Sequence, residues 1–324
     1  PCPAIRPGRA PRAGSCREDR GCIWWLDVAW NSPVQHITTS DQGSEFGFMI
    51  RREFPAMGTK VVVRTTGDPA DAEDYVAQCE RRFSRFLPTS ELSRLNGDAD
   101  ARSSLSADMV DVLSVAVDMH QRTSGLVDIG IGGAVTAWGY DRPYGIGLPR
   151  TMQPRPVPRA TWSFDGGKLS LGDGVAIDLG GIAKGWVCDQ LVEHGMAEIA
   201  SAGGDLRSQD PSLVVAIDGG NTTIECDVGI GALATSSVLR RTWSVGDRTV
   251  SHLIDPRTMR PTQSPIVSAT VIANTAVEAE AGAKAVLLHG VDGLAWADQQ
   301  SWIRRAIAVW HDGSVWATKE RTAA

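Results

Sequence analysis

The chain has 324 residues, 42% hydrophobic and 22% charged, with a formal net charge of −6. Those values are ordinary for a globular protein with a sizeable core and exclude general disorder. The acidic balance argues against a binder of duplex nucleic acid, and no stretch approaches the roughly 18 consecutive apolar residues of a membrane span.

Residues 1–45 differ in character from the rest of the chain: they open PCPAIRPGRAPRAGSCREDRG, rich in Pro, Gly and Arg without periodicity. Asp27 breaks the short apolar cluster CIWWLDVAW, so a secretory signal is not expected, and Cys16 in AGSC follows no apolar stretch, so a lipoprotein anchor is not expected either. Residues 1–48 are therefore expected to be a disordered tail or upstream extension, and residues 49–320 the working domain. Cys2, Cys16 and Cys22 fall in the first segment, whereas Cys79, Cys188 and Cys226 are scattered; no CxxC pair or Cys/His cluster suggests zinc. That usage points to thiols in a reducing cytoplasm.

Along the domain, TKVVVRTT at 59–66 predicts a strand, because β-branched residues dominate it. Asp68, Pro69 and Asp71 announce a helix through about Phe86. A short helix is expected over SELSRLN with Ser90 as cap, and a third from Ser106 to Arg122, stopped by Gly125. The Pro/Gly-rich stretch 141–160 predicts a lid or a mobile crossing. Strands are expected at 168–171 and 175–178, a helix at 181–194, then strand and turn over MAEIASAGG. Further strands are predicted at 212–217 and 267–273, a helix at 277–289, and a closing hairpin with a two-residue Asp312-Gly313 turn. Interleaved helices with hairpin-joined strands imply an α+β fold with mixed or antiparallel sheets rather than a doubly wound parallel one.

Several segments carry residues suited to chemistry. DLGGIAKG, 178–185, sets an acid, a glycine turn and Lys184 at a helix start, where exposed amides favour anions; its spacing is too short for a nucleotide-binding P-loop. In GLVDIGIGGAVTAWGYD, 125–141, the glycines do not form G-x-G-x-x-G, so it reads as a packed loop or as backbone that passes close to a flat ligand beside Asp128 and Trp138. TVSHLIDPRT offers His252 and Asp255 on one short segment, a candidate general base or a structural histidine. Glu280 and Lys284 are four apart on a helix and share a face, either as an ion pair or as a metal carboxylate beside a phosphate-directed cation.

The order of these segments is more specific than any one of them. MGT at 57–59, SELSRLN, GLVD, DLGGIAKG, GGD at 203–205, ALATS at 232–236, SHLIDPRT and VEAEAGAKAVLLHG succeed one another across residues 49–290. The series resembles the ApbE family, the FAD:protein FMN transferases, and implies an ApbE-like fold of two intimate subdomains. The resemblance implies Mg²⁺-dependent transfer of FMN from FAD, through a phosphoester bond, to a Thr or Ser hydroxyl of a partner flavoprotein, with release of AMP. An FAD pyrophosphatase and a flavin-binding protein without catalysis are the alternatives. Carried over by position, Met57, Leu126, Val127, Asp128, Asp178, Lys184 and Ile254 would contact FAD, and the Gly181 carbonyl and Glu280 would hold Mg²⁺. His252 matches the family histidine that helps deprotonate the acceptor hydroxyl.

One departure stands out. The family pattern commonly has Asp and, four residues later, Thr on the metal; this chain has Glu280 and Lys284. Glutamate can still ligate, but an ammonium has donors only. Lys284 would then replace part of the metal's electrostatic role, repel a second ion, or pair with Glu280. The expectation is one Mg²⁺ on Glu280 and Gly181, with Lys284 acting toward the phosphates.

Overall fold

The computed structural model describes residues 23–25, 49–144, 157, 159–220 and 222–321. Its centre is an eight-stranded antiparallel sheet whose strands lie side by side in chain order. They are β1 Ile50–Ala56, β2 Thr59–Thr65, β3 Ile199–Ala202, β4 Asp205–Ser208, β5 Gly231–Ser237, β6 Ile266–Ala273, β7 Ile303–Trp310 and β8 Val315–Ala317. The α+β expectation therefore holds. The helices occupy the connections: α1 Pro69–Phe83, α2 Glu91–Gly97, α3 Ala107–Arg122, α4 Gly132–Ala137, α5 Ala183–Glu193, α6 Ala276–His289 and α7 Gly293–Ala297. Among the described residues no helix is long and apolar enough to cross a membrane.

The period of two along the strands sorts the sheet into unlike faces. Ala200, Ala232, Ala234, Ala269, Ala273, Ala306 and Ala308 belong to the core shared with the helices, while Ile199, Leu206, Leu233, Ile272 and Ile307 belong to a second core on the other side. Small side chains on the first face let α5 and α6 lie close; larger ones on the second meet Val215, Ile217 and Ile224 of a three-stranded sheet. That sheet joins Val214–Asp218 to Thr223–Asp227 and, in parallel, to Ile23–Trp25. Apart from that strand, the expected tail lies outside the described residues, as does most of the expected lid at 141–160.

Two local predictions need correction. Residues 175–178 form no strand. The Asn96 side chain bonds both the N–H and the C=O of Ile177, at 2.8 and 2.9 Å, and so takes the place of a neighbouring strand. The last hairpin turns through three residues rather than two, since Trp310 N–H donates to Ser314 O at 2.9 Å; Gly313, at φ 80°, takes the left-handed position such a loop needs. Strand β1, absent from the sequence-based expectations, pairs with β2 through Met57 and Gly58, both at positive φ.

Helices α5 and α6 are tied at both ends of their contact. Ile182, the residue before α5, makes no side-chain cap, and Gly185 N–H instead donates to Glu280 Oε2 on α6 at 2.9 Å. In return Asp189 on α5 accepts from Ala276 and Val277 N–H at the start of α6, at 2.8 and 3.0 Å. Each helix caps the other, satisfying amides that a helix start leaves without intrahelical partners. The approach requires glycine: a Cβ on Gly185 would lie 2.8 Å from Ala276 O. We expect Gly185→Ala to destabilise the fold by about 1–3 kcal/mol, read from the urea midpoint; an unchanged midpoint would refute this packing.

Candidate active site

Glu280 is buried and receives three donors. Its Oε2 takes Gly185 N–H, and its Oε1 takes both Lys284 Nζ, at 2.9 Å, and Lys184 Nζ. Lys184 also reaches Asp205 Oδ2 at 2.7 Å. Asp205 and Arg207 lie two apart on β4 and both address α5, where Arg207 Nε stands 3.4 Å from Asp189. Two buried carboxylates and two half-buried ammonium groups thus form one cluster at the start of α5. Burial opposes its charges, yet Asp205 and Glu280 hold the Lys184 pKa above the ordinary lysine value. For Glu280, burial is the largest influence and pushes upward, but the two lysines outweigh it and hold the carboxyl low. Asp205 is pushed up by burial and by the neighbouring Glu280 charge.

The cluster forms the floor of a cleft. Met57, Leu126, Val127, Asp128, Asp178, Gly181, Lys184, His252, Ile254 and Lys284 all line it, and Glu280 lies beneath. Met57 comes from the β1–β2 turn, Leu126 to Asp128 from the segment after α3, and Asp178 to Gly181 from the entry to α5. These residues come from segments more than 200 positions apart along the chain. Asp128 accepts from Gly130 N–H and Trp162 Nε1, each at 2.7 Å, which fixes its carboxylate. Trp138 is packed: its indole donates to Met259 O at 3.0 Å. Asp255 serves its own turn, bonding Arg257 at 2.7 Å.

Sequence reasoning missed Arg85 and gave Asp205 no role. Arg85 Nε pairs with Asp178 Oδ2 at 2.6 Å, and its guanidinium lies 4.1 Å from the Phe86 ring centre and 4.7 Å from that of Tyr140. Its Nη2 is buried with no hydrogen-bond partner among the described residues, at the wall of the cleft. Helix α1 ends at Phe83, with Ser84 as its cap, three residues before the predicted end, and that stop frees Arg85 to turn inward. For Asp205 the signal was the alternation in DLR, which places an acid and a base on the same face as the α5 contacts.

The residues fit Mg²⁺ poorly. Mg²⁺ takes oxygen ligands, yet both Glu280 oxygens are occupied, and Lys284, which can only donate, stands where the resemblance would put a Thr. At an effective dielectric near 20, each pair of like unit charges about 4 Å apart repels by roughly 4 kcal/mol, so an ion on Glu280 would first have to displace Lys284.

His252 is held neutral. Burial, then the charges of Arg241, Lys284 and Lys184, lower its pKa to about 3 against a weaker opposing pull from the Arg240 backbone. Its Nδ1 is buried without a hydrogen-bond partner among the described residues. In the unfolded chain a histidine titrates near roughly 6.5. The neutral ring therefore favours the folded state fully above that pH, and the contribution is lost as pH falls toward about 3. Between those limits the urea midpoint of His252→Gln should fall less steeply than that of the parent; equal slopes would contradict this environment.

Comparison with known proteins agrees with the fold. The ApbE family model matches residues 57–307. An FAD:protein FMN transferase of Haemophilus influenzae is 26% identical over 250 residues, covering 68% of this chain and 72% of its own. One from Salmonella typhimurium is 30% identical over 239 residues, covering 65% and 66%. Against the Rhodobacter capsulatus enzyme of the same name the identity is 29%, over 85% of this chain and 58% of the relative. Among solved structures, the ApbE protein of Thermotoga maritima superposes with a TM-score of 0.71 at 20% identity, over 85% of this chain and all of that one. The flavin transferase ApbE of Vibrio cholerae gives 0.66 at 22% identity, over 84% and 96%. With the family model spanning most of the domain and the fold shared, this chain belongs to the ApbE family.

Proposed function

We propose that this chain transfers FMN from FAD to a Thr or Ser hydroxyl of a partner flavoprotein. The carrying observation is the lysine pair held on the buried Glu280 carboxylate at the cleft floor, beside the start of α5. Relatives named FAD:protein FMN transferase support the choice of reaction. Met57, Leu126, Val127 and Ile254 would bound the flavin, Asp128 and Asp178 would hold its polar groups, and Lys184 with Lys284 would face the pyrophosphate. The acceptor oxygen attacks the FMN phosphorus, the bond from that phosphorus to the bridging oxygen breaks, and AMP leaves with the bridging oxygen. His252 takes the hydroxyl proton. An imidazole held neutral is free to accept it; burial first and the neighbouring cations second depress its basicity, and the negative pyrophosphate would offset the second of these.

Phosphoryl transfer asks the protein mainly for positioning and for neutralisation of charge on the phosphate oxygens, and two lysines can supply both. The buried thiols of Cys79, Cys188 and Cys226 are free, which suits a reducing compartment such as the cytoplasm.

Incubation with FAD and a flavoprotein acceptor, followed by intact-mass measurement and nucleotide chromatography, tests this reading. The expected result is one FMN added to the acceptor and one AMP per transfer. Free FMN with AMP would show a pyrophosphatase, and unchanged bound FAD would show a binding protein. The His252→Asn variant should lower turnover by roughly 10²–10⁴-fold while still binding FAD.

A further inference from the structure

We propose that the Lys284 ammonium is the resident cation of this site, occupying the place of a divalent metal, so that flavin binding and transfer proceed without one. This rests on the flavin-transfer reading and departs from what the family resemblance implies. Lys284 comes one helical turn after Glu280 on helix α6, so the two side chains share a face and pair there. Its stem passes Gly181, where a Cβ would stand 3.2 Å from Lys284 Cε and 4.0 Å from Nζ. The ammonium therefore sits beside the two residues expected to bind the ion, Gly181 and Glu280, and contacts the carboxylate at 2.9 Å.

Charge and hydrogen bonding point the same way. Glu280 and Asp205 are balanced by Lys184 and Lys284, leaving no net negative charge to attract a dication. Both Glu280 oxygens are occupied, by two ammonium groups and one amide. An ammonium has three donors, and Glu280 is the one hydrogen-bond partner of Lys284 Nζ among the described residues. Lys284 also lines the cleft, so its remaining donors can meet a pyrophosphate oxygen. A metal would bridge carboxylate and phosphate through coordination; Lys284 can bridge them through hydrogen bonds.

The test pairs metal binding with flavin binding. Mn²⁺ serves as the probe because it shares the oxygen preference of Mg²⁺, and its free ion is counted by electron paramagnetic resonance. The protein without flavin should bind no Mn²⁺ up to about 1 mM, whereas Lys284→Thr, which restores an oxygen ligand, should bind about one. FAD affinity of the parent, read from flavin fluorescence, should agree within about twofold between EDTA and Mg²⁺; that of Lys284→Thr should fall at least about tenfold in EDTA and recover with Mg²⁺. Micromolar Mn²⁺ binding by the parent, loss of its FAD affinity in EDTA, or undiminished FAD binding by Lys284→Thr in EDTA would each overturn the proposal. If Lys284→Thr fails to fold, the parent measurements decide alone. Failure to bind FAD in either buffer would instead defeat the flavin reading, and the Mn²⁺ titration would still decide the cation.

Discussion

A buried carboxylate that must be satisfied from several directions at once organises this protein. Glu280 has little access to water, so every lone pair it presents needs a donor from the protein. It obtains them from Lys184 and the Gly185 amide on α5 and from Lys284 on its own helix. Those bonds fix the α5–α6 contact and also place two cations at the cleft. Structure and chemistry rest on the same atoms, so removing Glu280 would leave two ammonium groups buried without their shared partner.

The reciprocal capping explains why so short a segment as DLGGIAKG carries so much. Helix α5 begins without a cap of its own, which leaves an amide available, and α6 fills that need with a carboxylate that serves the site as well. Asp189 repeats the arrangement at the other end of the contact. The close approach depends on Gly185 and on the alanine-rich face of the sheet. Larger side chains there would separate the helices and pull Lys184 from Asp205.

Much of this was legible in the sequence because it is local. The Ser90 and Ser106 caps and the helix of Glu280 and Lys284 depend on neighbouring residues alone. The site was legible through the order of its motifs, a signal that needs no knowledge of distances. What escaped was decided by tertiary partners. Asn96 replaces a strand for Ile177 from about 80 positions away. Arg85 joins Asp178 across a gap that no local pattern reports. The charge of Lys284 was evident from the sequence; that it meets Glu280 beside Gly181, instead of leaving the carboxylate for a metal, required the fold.

The central claim is that the lysine pair on Glu280 holds the phosphate portion of a flavin nucleotide. Titrating FAD and riboflavin in parallel into the parent, Lys184→Met and Lys284→Met, with flavin fluorescence as readout, tests it most directly, because riboflavin keeps the ring and lacks the phosphates. Each substitution is predicted to weaken FAD by at least about tenfold, near 1.4 kcal/mol, and to leave riboflavin within about twofold. Equal losses for both ligands, or no loss for FAD, would contradict it.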